Sequence, residues 1–152
     1  MRFITDYFRI NQKLVRKQYP LPRIGETIQQ LQGFRYAEAL DLNMRYYIIR
    51  LSFASQDMTK TVTEFGEFRY NRLPIGMCTS GDIFQAKVDN LLGDIEGVKT
   101  YTDDILVLSK DSFEKHIDQQ RILFGILHTV GLKVGTSKCS FGLKGILYLG
   151  AY

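Results

Sequence analysis

Two adjacent carboxylates, Asp103 and Asp104, lie between two short strand-like segments, residues 98–101 and 105–108. Carboxylates that are held against apolar strands lose hydration and repel each other, so such a pair is stable chiefly when a divalent cation lies between them. Aspartate is also common in turns, and both residues could be ordinary turn residues. The flanking strands favour the metal, so metal-assisted chemistry is the first hypothesis.

A third acid, Asp41, lies near the end of a predicted strand over residues 36–42. A sheet that places this strand beside the hairpin 98–108 would bring Asp41 and Asp103 to one edge. Acids from separate strands that hold two divalent ions suit in-line phosphoryl or nucleotidyl transfer, because one ion lowers the pKa of the attacking hydroxyl and the other stabilises the leaving oxygens. Without such a sheet, Asp41 would be an isolated surface acid.

Hydrophobic periodicity and turn residues predict an α+β fold. The predicted strands cover residues 2–7, 36–42, 47–53, 61–65, 67–72, 98–101, 105–108, 132–134 and 139–148. The predicted helices cover residues 25–32, 82–92 and 111–129, the last with a capping box of Asp111 and Glu114 and a stop at Gly131. Hairpins interleaved with helices indicate an antiparallel sheet with helices packed on one face.

Length and composition limit the possible classes of protein. With 152 residues, of which 45% are hydrophobic, the chain can bury one sizeable core. Twenty Lys and Arg against 16 Asp and Glu give a net charge of +4, which modestly favours polyanionic partners. Cys78 and Cys139 lack the spacing of a zinc site, and they indicate a reduced, intracellular setting. No segment approaches the roughly 20 apolar residues of a membrane span.

Seven short blocks follow one another along nearly the whole chain. They are Asp6-Tyr7 with Asn11, Tyr19-Pro20-Leu21-Pro22-Arg23-Ile24, Leu40-Asp41-Leu42, Leu73-Pro74-Ile75-Gly76-Met77 with Phe84-Gln85, Tyr101-Thr102-Asp103-Asp104-Ile105-Leu106, Gly131-Leu132-Lys133 with Lys138-Cys139, and Tyr148-Leu149-Gly150. Each block alone is a weak motif, whereas their order and spacing are highly specific. The chain resembles the reverse transcriptase in the Pol polyprotein of gypsy-type LTR retrotransposons.

The resemblance implies a polymerase palm with a partial fingers subdomain over residues 1–152. The fingers would cover about residues 1–35 and 47–80, and the palm about residues 36–46 and 81–152. A thumb, a connection and an RNase H domain are not recognisable, and both ends look cut, so we expect a fragment of a longer polypeptide. Its partners would be the rest of the Pol polyprotein (thumb, RNase H and integrase), in the cytoplasm and, for an active element, in a virus-like particle.

The resemblance also implies roles for single residues. Asp41, Asp103 and Asp104 match the catalytic, metal-binding acids, and the backbone carbonyl of Leu42 would join them around two Mg²⁺ ions, which Mn²⁺ could replace. The matching nucleotide-binding residues are Arg2 at the triphosphate, Tyr46 as a gate against a ribose 2′-hydroxyl, and Ile75. The matching template and primer contacts are Pro74, Gly76, Tyr101, Thr102, Leu149 and Gly150. Their structural alternatives are a surface arginine, a core aromatic, plain turns and a buried strand end.

The implied function is that of an RNA-directed DNA polymerase, which adds dNTPs to a primer 3′-hydroxyl on an RNA or DNA template. Several positions depart from the family pattern, among them Phe8 where an arginine is usual, Arg45 where a glycine is usual, and Gly81 where a proline is usual. The segment after Thr61 is also shorter than usual. The alternative is therefore a catalytically inactive, diverged retroelement remnant that keeps the fold and weak nucleic-acid binding.

Overall fold

The computed structural model describes residues 4–20, 33–43 and 45–143, so the predicted helix 25–32 lies outside the described residues. The strands are β1 Tyr36–Asn43, β2 Thr61–Thr63, β3 Gly66–Phe68, β4 Val98–Tyr101, β5 Asp104–Ser109, β6 Lys133–Val134 and β7 Ser140–Leu143. The helices are α1 Phe8–Asn11, α2 Phe53–Asp57, α3 Ser80–Leu92 and α4 Phe113–Val130, with 3₁₀ turns at Arg45–Ile48 and Thr136–Lys138. None of these helices combines the length and the apolar composition that crossing a membrane would require.

β1 lies in the middle of a five-stranded sheet, and β2 and β3 form a separate hairpin. On one side, β5 pairs with β1 in antiparallel register, so that Asp41 lies opposite Asp104. On the other side, β7 pairs with β1 near Ala37, and β6 pairs with it at Leu42. The end of β1 that carries Asp41 therefore lies between β5 and β6.

Alternate residues of the central strands face opposite sides of the sheet, as the period of a β-strand requires. Leu40 and Ile105 are cross-strand partners in the main core, whereas Ala37 and Leu106 belong to a second cluster. The main core also contains apolar side chains from both long helices: Phe84, Val88, Leu92, Leu123 and Leu127. The predicted α+β fold, with helices on one face of an antiparallel sheet, is confirmed.

The helix α4 begins two residues later than predicted, and its cap is different. The Ser112 hydroxyl accepts a hydrogen bond from the Lys115 backbone N–H at 3.4 Å, and Ser112 has the extended backbone that an N-cap needs. The prediction of Asp111 as the cap was wrong. Asp111 instead forms an exposed ion pair with Lys115 at 3.5 Å.

The predicted helix stop at Gly131 is confirmed, and it leads to a stability prediction. Gly131 has a φ of +77°, a left-handed conformation in which a Cβ is strained. We expect Gly131→Ala to lower the free energy of unfolding by about 1 kcal/mol in thermal or urea unfolding. In the same helix, Gly125 has open space where a Cβ would lie, so Gly125→Ala should instead be stabilising by about 0.5–1 kcal/mol. Equal effects of the two substitutions would contradict this explanation.

The predicted strand over residues 2–7 was wrong in its described part. Residues 4–7 form no strand, and the helix α1 follows them directly. The Asp6 carboxylate accepts a hydrogen bond from the Phe8 backbone N–H at 2.8 Å. Such a local bond from side chain to backbone stabilises a turn at the expense of strand pairing.

The predicted strand over residues 47–53 was also wrong. Its residues form the end of a 3₁₀ turn, a single bridge at Arg50, and the start of α2. Ser52 caps α2 by accepting a hydrogen bond from the Ser55 backbone N–H at 3.3 Å. The cap therefore accounts for the helix at Phe53, whereas the residues before it keep only the bridge between Arg50 and Arg72. The predicted hairpin near Gly66 is present, but its strands are shorter than predicted.

Candidate active site

The three predicted acids lie at one end of the main sheet. Asp41 is near the end of β1, and Asp104, the first residue of β5, is its cross-strand partner. Because Tyr101 also pairs with Asp104, only two residues form the turn between β4 and β5. The Asp103 carbonyl in this turn accepts a hydrogen bond from the Leu42 backbone N–H at 2.8 Å. The sheet therefore brings Asp103 beside the β1 segment that carries Asp41.

The turn that presents Asp103 has a strained backbone. Thr102 has a φ of +54°, the only positive φ of a non-glycine residue in the described part of the chain, and a β-branched side chain disfavours this conformation. The Thr102 hydroxyl donates a hydrogen bond to Asp103 Oδ1 at 2.8 Å. Strain of this kind persists where surrounding contacts impose it, and it is frequent at functional sites.

A buried glutamine of α3 supports this turn. The Gln85 Oε1 atom accepts a hydrogen bond from the Thr102 backbone N–H at 2.6 Å, and its Nε2 atom donates to the Asp89 carboxylate at 2.8 Å. Gln85 is 1% exposed, so its amide group is held rigidly in the core. No site role was predicted for Gln85. An uncharged polar residue beside the apolar face of a helix can nevertheless be recognised in the sequence as a candidate for a buried hydrogen bond.

A cavity of about 290 Å³ opens at this end of the sheet, and two of the three acids line it. They are Asp41 and Asp103. Leu42 and the predicted nucleotide-binding residues Tyr46 and Ile75 also line this cavity. Tyr46 packs edge-to-face on Phe84, with 5.6 Å between ring centroids, so it is both a cavity residue and a neighbour of the core. The cavity thus combines carboxylates with an aromatic wall.

The loop 74–76 is held by side chains from two other segments. The Ser80 hydroxyl donates to the Pro74 carbonyl at 2.8 Å. Asn11 bridges the loop, because its Nδ2 donates to the Gly76 carbonyl and its Oδ1 accepts from the Cys78 backbone N–H, both at 2.9 Å. Gly76 has a φ of +102°, which favours glycine at this position. Ile75 is therefore presented to the cavity by a fixed loop.

The segment after β6 forms another wall of the cavity, through Gly135, Ser137 and Lys138. The Gly135 backbone N–H donates to the Asp41 carbonyl at 2.8 Å. Lys138 Nζ lies 3.6 Å from Asp41 Oδ2. The sequence shows Lys138 only as part of a family block, and its contact with Asp41, about a hundred residues earlier, was not predicted.

The remaining predicted site residues are the primer and template contacts after Gly76 and the triphosphate contact Arg2. Tyr101 is partly buried and packs against the second cluster, and Thr102 lies in the turn. Arg2, Leu149 and Gly150 lie outside the described residues, so their predicted roles stay predictions.

The donors at this end of the sheet fit a hard divalent cation, for which carboxylate oxygens are suitable ligands. Within the described ranges, no three acidic, histidine or cysteine side chains are close enough to hold an ion together. Asp41 and Asp103, the two acids that line the cavity, would supply carboxylates and leave the remaining positions to other oxygens, and the predicted role of Asp104 as a ligand stays a prediction. The Lys138 ammonium beside Asp41 shows that this carboxylate already attracts a cation.

Comparison with known protein sequences finds one family model and relatives of one kind. A family model described as reverse transcriptase (RNA-dependent DNA polymerase) matches residues 1–152. The chain is 34% identical over 152 residues to the retrovirus-related Pol polyprotein from transposon 412 of Drosophila melanogaster, covering 98% of this chain and 12% of that polyprotein. It is 27% identical over 153 residues to the corresponding polyprotein from transposon gypsy, covering 98% and 14%. The chain thus spans only a small part of these relatives.

Comparison with solved structures gives the same family. A foamy viral protease-reverse transcriptase in complex with double-stranded DNA matches with a TM-score of 0.89 and 26% identity, covering 98% of this chain and 26% of that one. The foamy viral enzyme in complex with an RNA/DNA hybrid matches with a TM-score of 0.85 and 26% identity, covering 95% and 20%. Both the sequence and the fold therefore place this chain among the same proteins.

Proposed function

This chain belongs to the reverse transcriptase family, and on that premise we propose that it carries the catalytic centre of an RNA-directed DNA polymerase. The observation that supports the proposal most strongly is the cavity shared by Asp41 and Asp103. Asp41 lies in β1, and Asp103 lies in the turn just before the neighbouring strand β5, so the backbone fixes their relative position. Asp104, the cross-strand partner of Asp41, is the third acid of the proposed centre.

The proposed reaction joins a primer 3′-hydroxyl to the α-phosphate of a dNTP and releases pyrophosphate. Asp41 and Asp103, with the carbonyl of Leu42, would hold two Mg²⁺ ions, for which Mn²⁺ is a possible substitute. When bound, such ions lower the pKa of a hydroxyl and neutralise charge on phosphate oxygens. The protein's own contribution is positioning, through the rigid turn at Thr102 and its support from Gln85.

Residues that line the cavity, and others near it in the sequence, would contact the substrates. Tyr46 and Ile75 line it together with the acids, and we assign them to the incoming nucleotide, with Arg2 at its triphosphate. Template and primer would lie along Pro74, Gly76, Tyr101, Thr102, Leu149 and Gly150. A template–primer partner is supported by the DNA and RNA/DNA hybrid in the foamy viral structures.

The Pol polyproteins among the relatives support a longer parent protein as the functional unit. We propose that a thumb, an RNase H domain and an integrase act with this chain. We further propose that the parent protein works in the cytoplasm, within the virus-like particle of an active element.

The position of Tyr46 leads to a prediction on sugar selection. Its half-buried ring, which packs on Phe84, cannot easily move away from a ribose 2′-hydroxyl. Tyr46→Ala is expected to raise the use of rNTPs relative to dNTPs by about ten- to a hundredfold in single-nucleotide primer extension. Tyr47→Ala removes a neighbouring aromatic of the same cavity and serves as the matched control. An unchanged preference in the Tyr46 variant would contradict the assignment.

The proposal is tested by primer extension with the parent polypeptide on an RNA template. We expect dNTP incorporation that depends on template and Mg²⁺, stops with a chelator and returns with excess Mg²⁺ or Mn²⁺. Incorporation without template or metal would refute the proposal. A folded polypeptide that binds template–primer but never extends it would instead favour the inactive remnant.

A further inference from the structure

The ammonium group of Lys138 lies at the mouth of the proposed metal site. Its Nζ atom is 3.6 Å from Asp41 Oδ2, and the two side chains are 68% and 21% exposed. This contact uses one carboxylate oxygen of a predicted metal ligand. The proposed function gives this lysine no role.

The backbone of the segment 135–138 holds Lys138 in this place. The Gly135 N–H donates to the Asp41 carbonyl at 2.8 Å, and the Lys138 N–H donates to the Gly135 carbonyl at 2.9 Å. A Cβ at Gly135 would lie 3.2 Å from Asp41 Oδ1, which is closer than an ordinary van der Waals contact. The segment is therefore pressed against Asp41, and glycine permits this approach.

From this geometry we propose that Lys138 is the counter-ion of Asp41 while the site is free of metal, and that an arriving divalent cation displaces it. The proposal rests on the proposed function, in which Asp41 binds the metal. Lys138 is then a positioning residue that sets how tightly the site binds a divalent ion. It keeps the acid neutralised and oriented before the ion arrives.

The exchange has a physical basis, because the two cations compete for the same carboxylate. A divalent ion binds a carboxylate oxygen at roughly 2.0–2.6 Å, which would place it next to the ammonium and cause strong like-charge repulsion. The exposed lysine has a flexible stem and can move its charge into solvent. An exposed ion pair is also weak, so a divalent ion can replace it.

The test measures Mn²⁺ binding to the full chain through the electron paramagnetic resonance signal of free Mn²⁺, which decreases as the ion binds. At low salt, Lys138→Gln is expected to lower the Kd for Mn²⁺ about three- to fivefold, and Lys138→Arg should stay near the wild-type value. The difference should shrink as the ionic strength rises. Lys133→Gln removes the same charge from an exposed residue of β6 and should change the Kd less than about twofold.

The variant Asp41→Asn distinguishes the counter-ion role of Lys138 from the metal site on which that role rests. Suppose that Asp41→Asn weakens Mn²⁺ binding. The counter-ion role is then refuted, and the proposed function stands, if Lys138→Gln leaves the Kd unchanged, raises it, or lowers it no more than Lys133→Gln does. If Asp41→Asn leaves Mn²⁺ binding unchanged, the metal site itself is refuted. Circular dichroism of each variant verifies the fold, and Lys138→Met provides a second neutral variant with the same expected direction.

Discussion

Replacing Asp103 by asparagine is expected to lower the rate of template-directed dNTP incorporation by at least about 10³-fold. The substitution removes a negative charge but keeps the shape of the side chain. Asparagine can still accept the hydrogen bond from the Thr102 hydroxyl, and the backbone bond from Leu42 is unaffected. The loss would therefore come from weaker metal binding and charge stabilisation, where each tenfold in rate corresponds to about 1.4 kcal/mol.

The matched control for this prediction is Asp94→Asn. Asp94 is an exposed acid after α3, so its substitution changes the net charge by the same amount without touching the cavity. Primer extension by the parent polypeptide should be almost unchanged in this variant. Similar rates for Asp103→Asn and the wild type, with both proteins folded, would show that Asp103 is not a catalytic acid.

The second large effect is expected in stability and concerns Glu38, a carboxyl group buried between β1 and α4. Glu38 is 3% exposed, and its neighbour His116 is 1% exposed. Gln120 Nε2 donates to Glu38 Oε1, whereas Glu38 Oε2 is buried without a hydrogen-bond partner. Burial raises the pKa of Glu38 from its ordinary 4.5 to about 7, and burial lowers the pKa of His116.

The raised pKa means that the folded protein holds a proton on Glu38 that the unfolded chain releases near pH 4.5. Glu38 therefore contributes its full share of stability below about pH 4.5, and this share is lost as the pH rises to about 7. At pH 8, Glu38→Gln should raise the free energy of unfolding by about 3 kcal/mol relative to the wild type. At pH 4.5 the two proteins should differ by less than about 1 kcal/mol.

Urea unfolding at several pH values measures this difference. His116 has the opposite trend, because its lowered pKa costs stability as the pH falls. Its Nε2 atom lies 3.5 Å from Glu38 Oε1, so the two groups titrate as a coupled pair, and the comparison at pH 8, where His116 is neutral in both proteins, measures the effect of Glu38. Glu64→Gln, in an exposed turn, is the control and should show no pH-dependent difference. A Glu38→Gln effect that is constant from pH 4.5 to pH 8 would show that Glu38 has an ordinary pKa.

The arrangement of the acids could be predicted because it depends on local patterns. The strand ending near Asp41 and the short hairpin around Asp103 have clear sequence signals, and antiparallel pairing brings their ends together. The strand 47–53 was mispredicted because β-branched and aromatic residues indicate a strand only when no competing signal is present. In this chain, the Ser52 cap starts a helix at Phe53, and residues 47–48 belong to a 3₁₀ turn.

The supports of the site could not be predicted, since they join residues that are distant in the sequence. Gln85 reaches the Thr102 turn from α3, and Lys138 reaches Asp41 from the segment after β6. Neither contact follows from periodicity or from spacing, because both depend on how helices and loops pack against the finished sheet. Glu38 and His116 are similar, since their burial follows from the docking of α4 rather than from either residue type.

The most direct test of the central claim, that Asp41 and Asp103 bind a divalent ion together, is a double-mutant cycle on Mn²⁺ binding. The Kd is measured for the wild type, Asp41→Asn, Asp103→Asn and the double variant. We expect each single substitution to raise the Kd at least about tenfold and the double variant to lose little more, which gives a coupling energy above about 1 kcal/mol. Fully additive losses, or single variants that bind Mn²⁺ as the wild type does, would contradict a shared metal site.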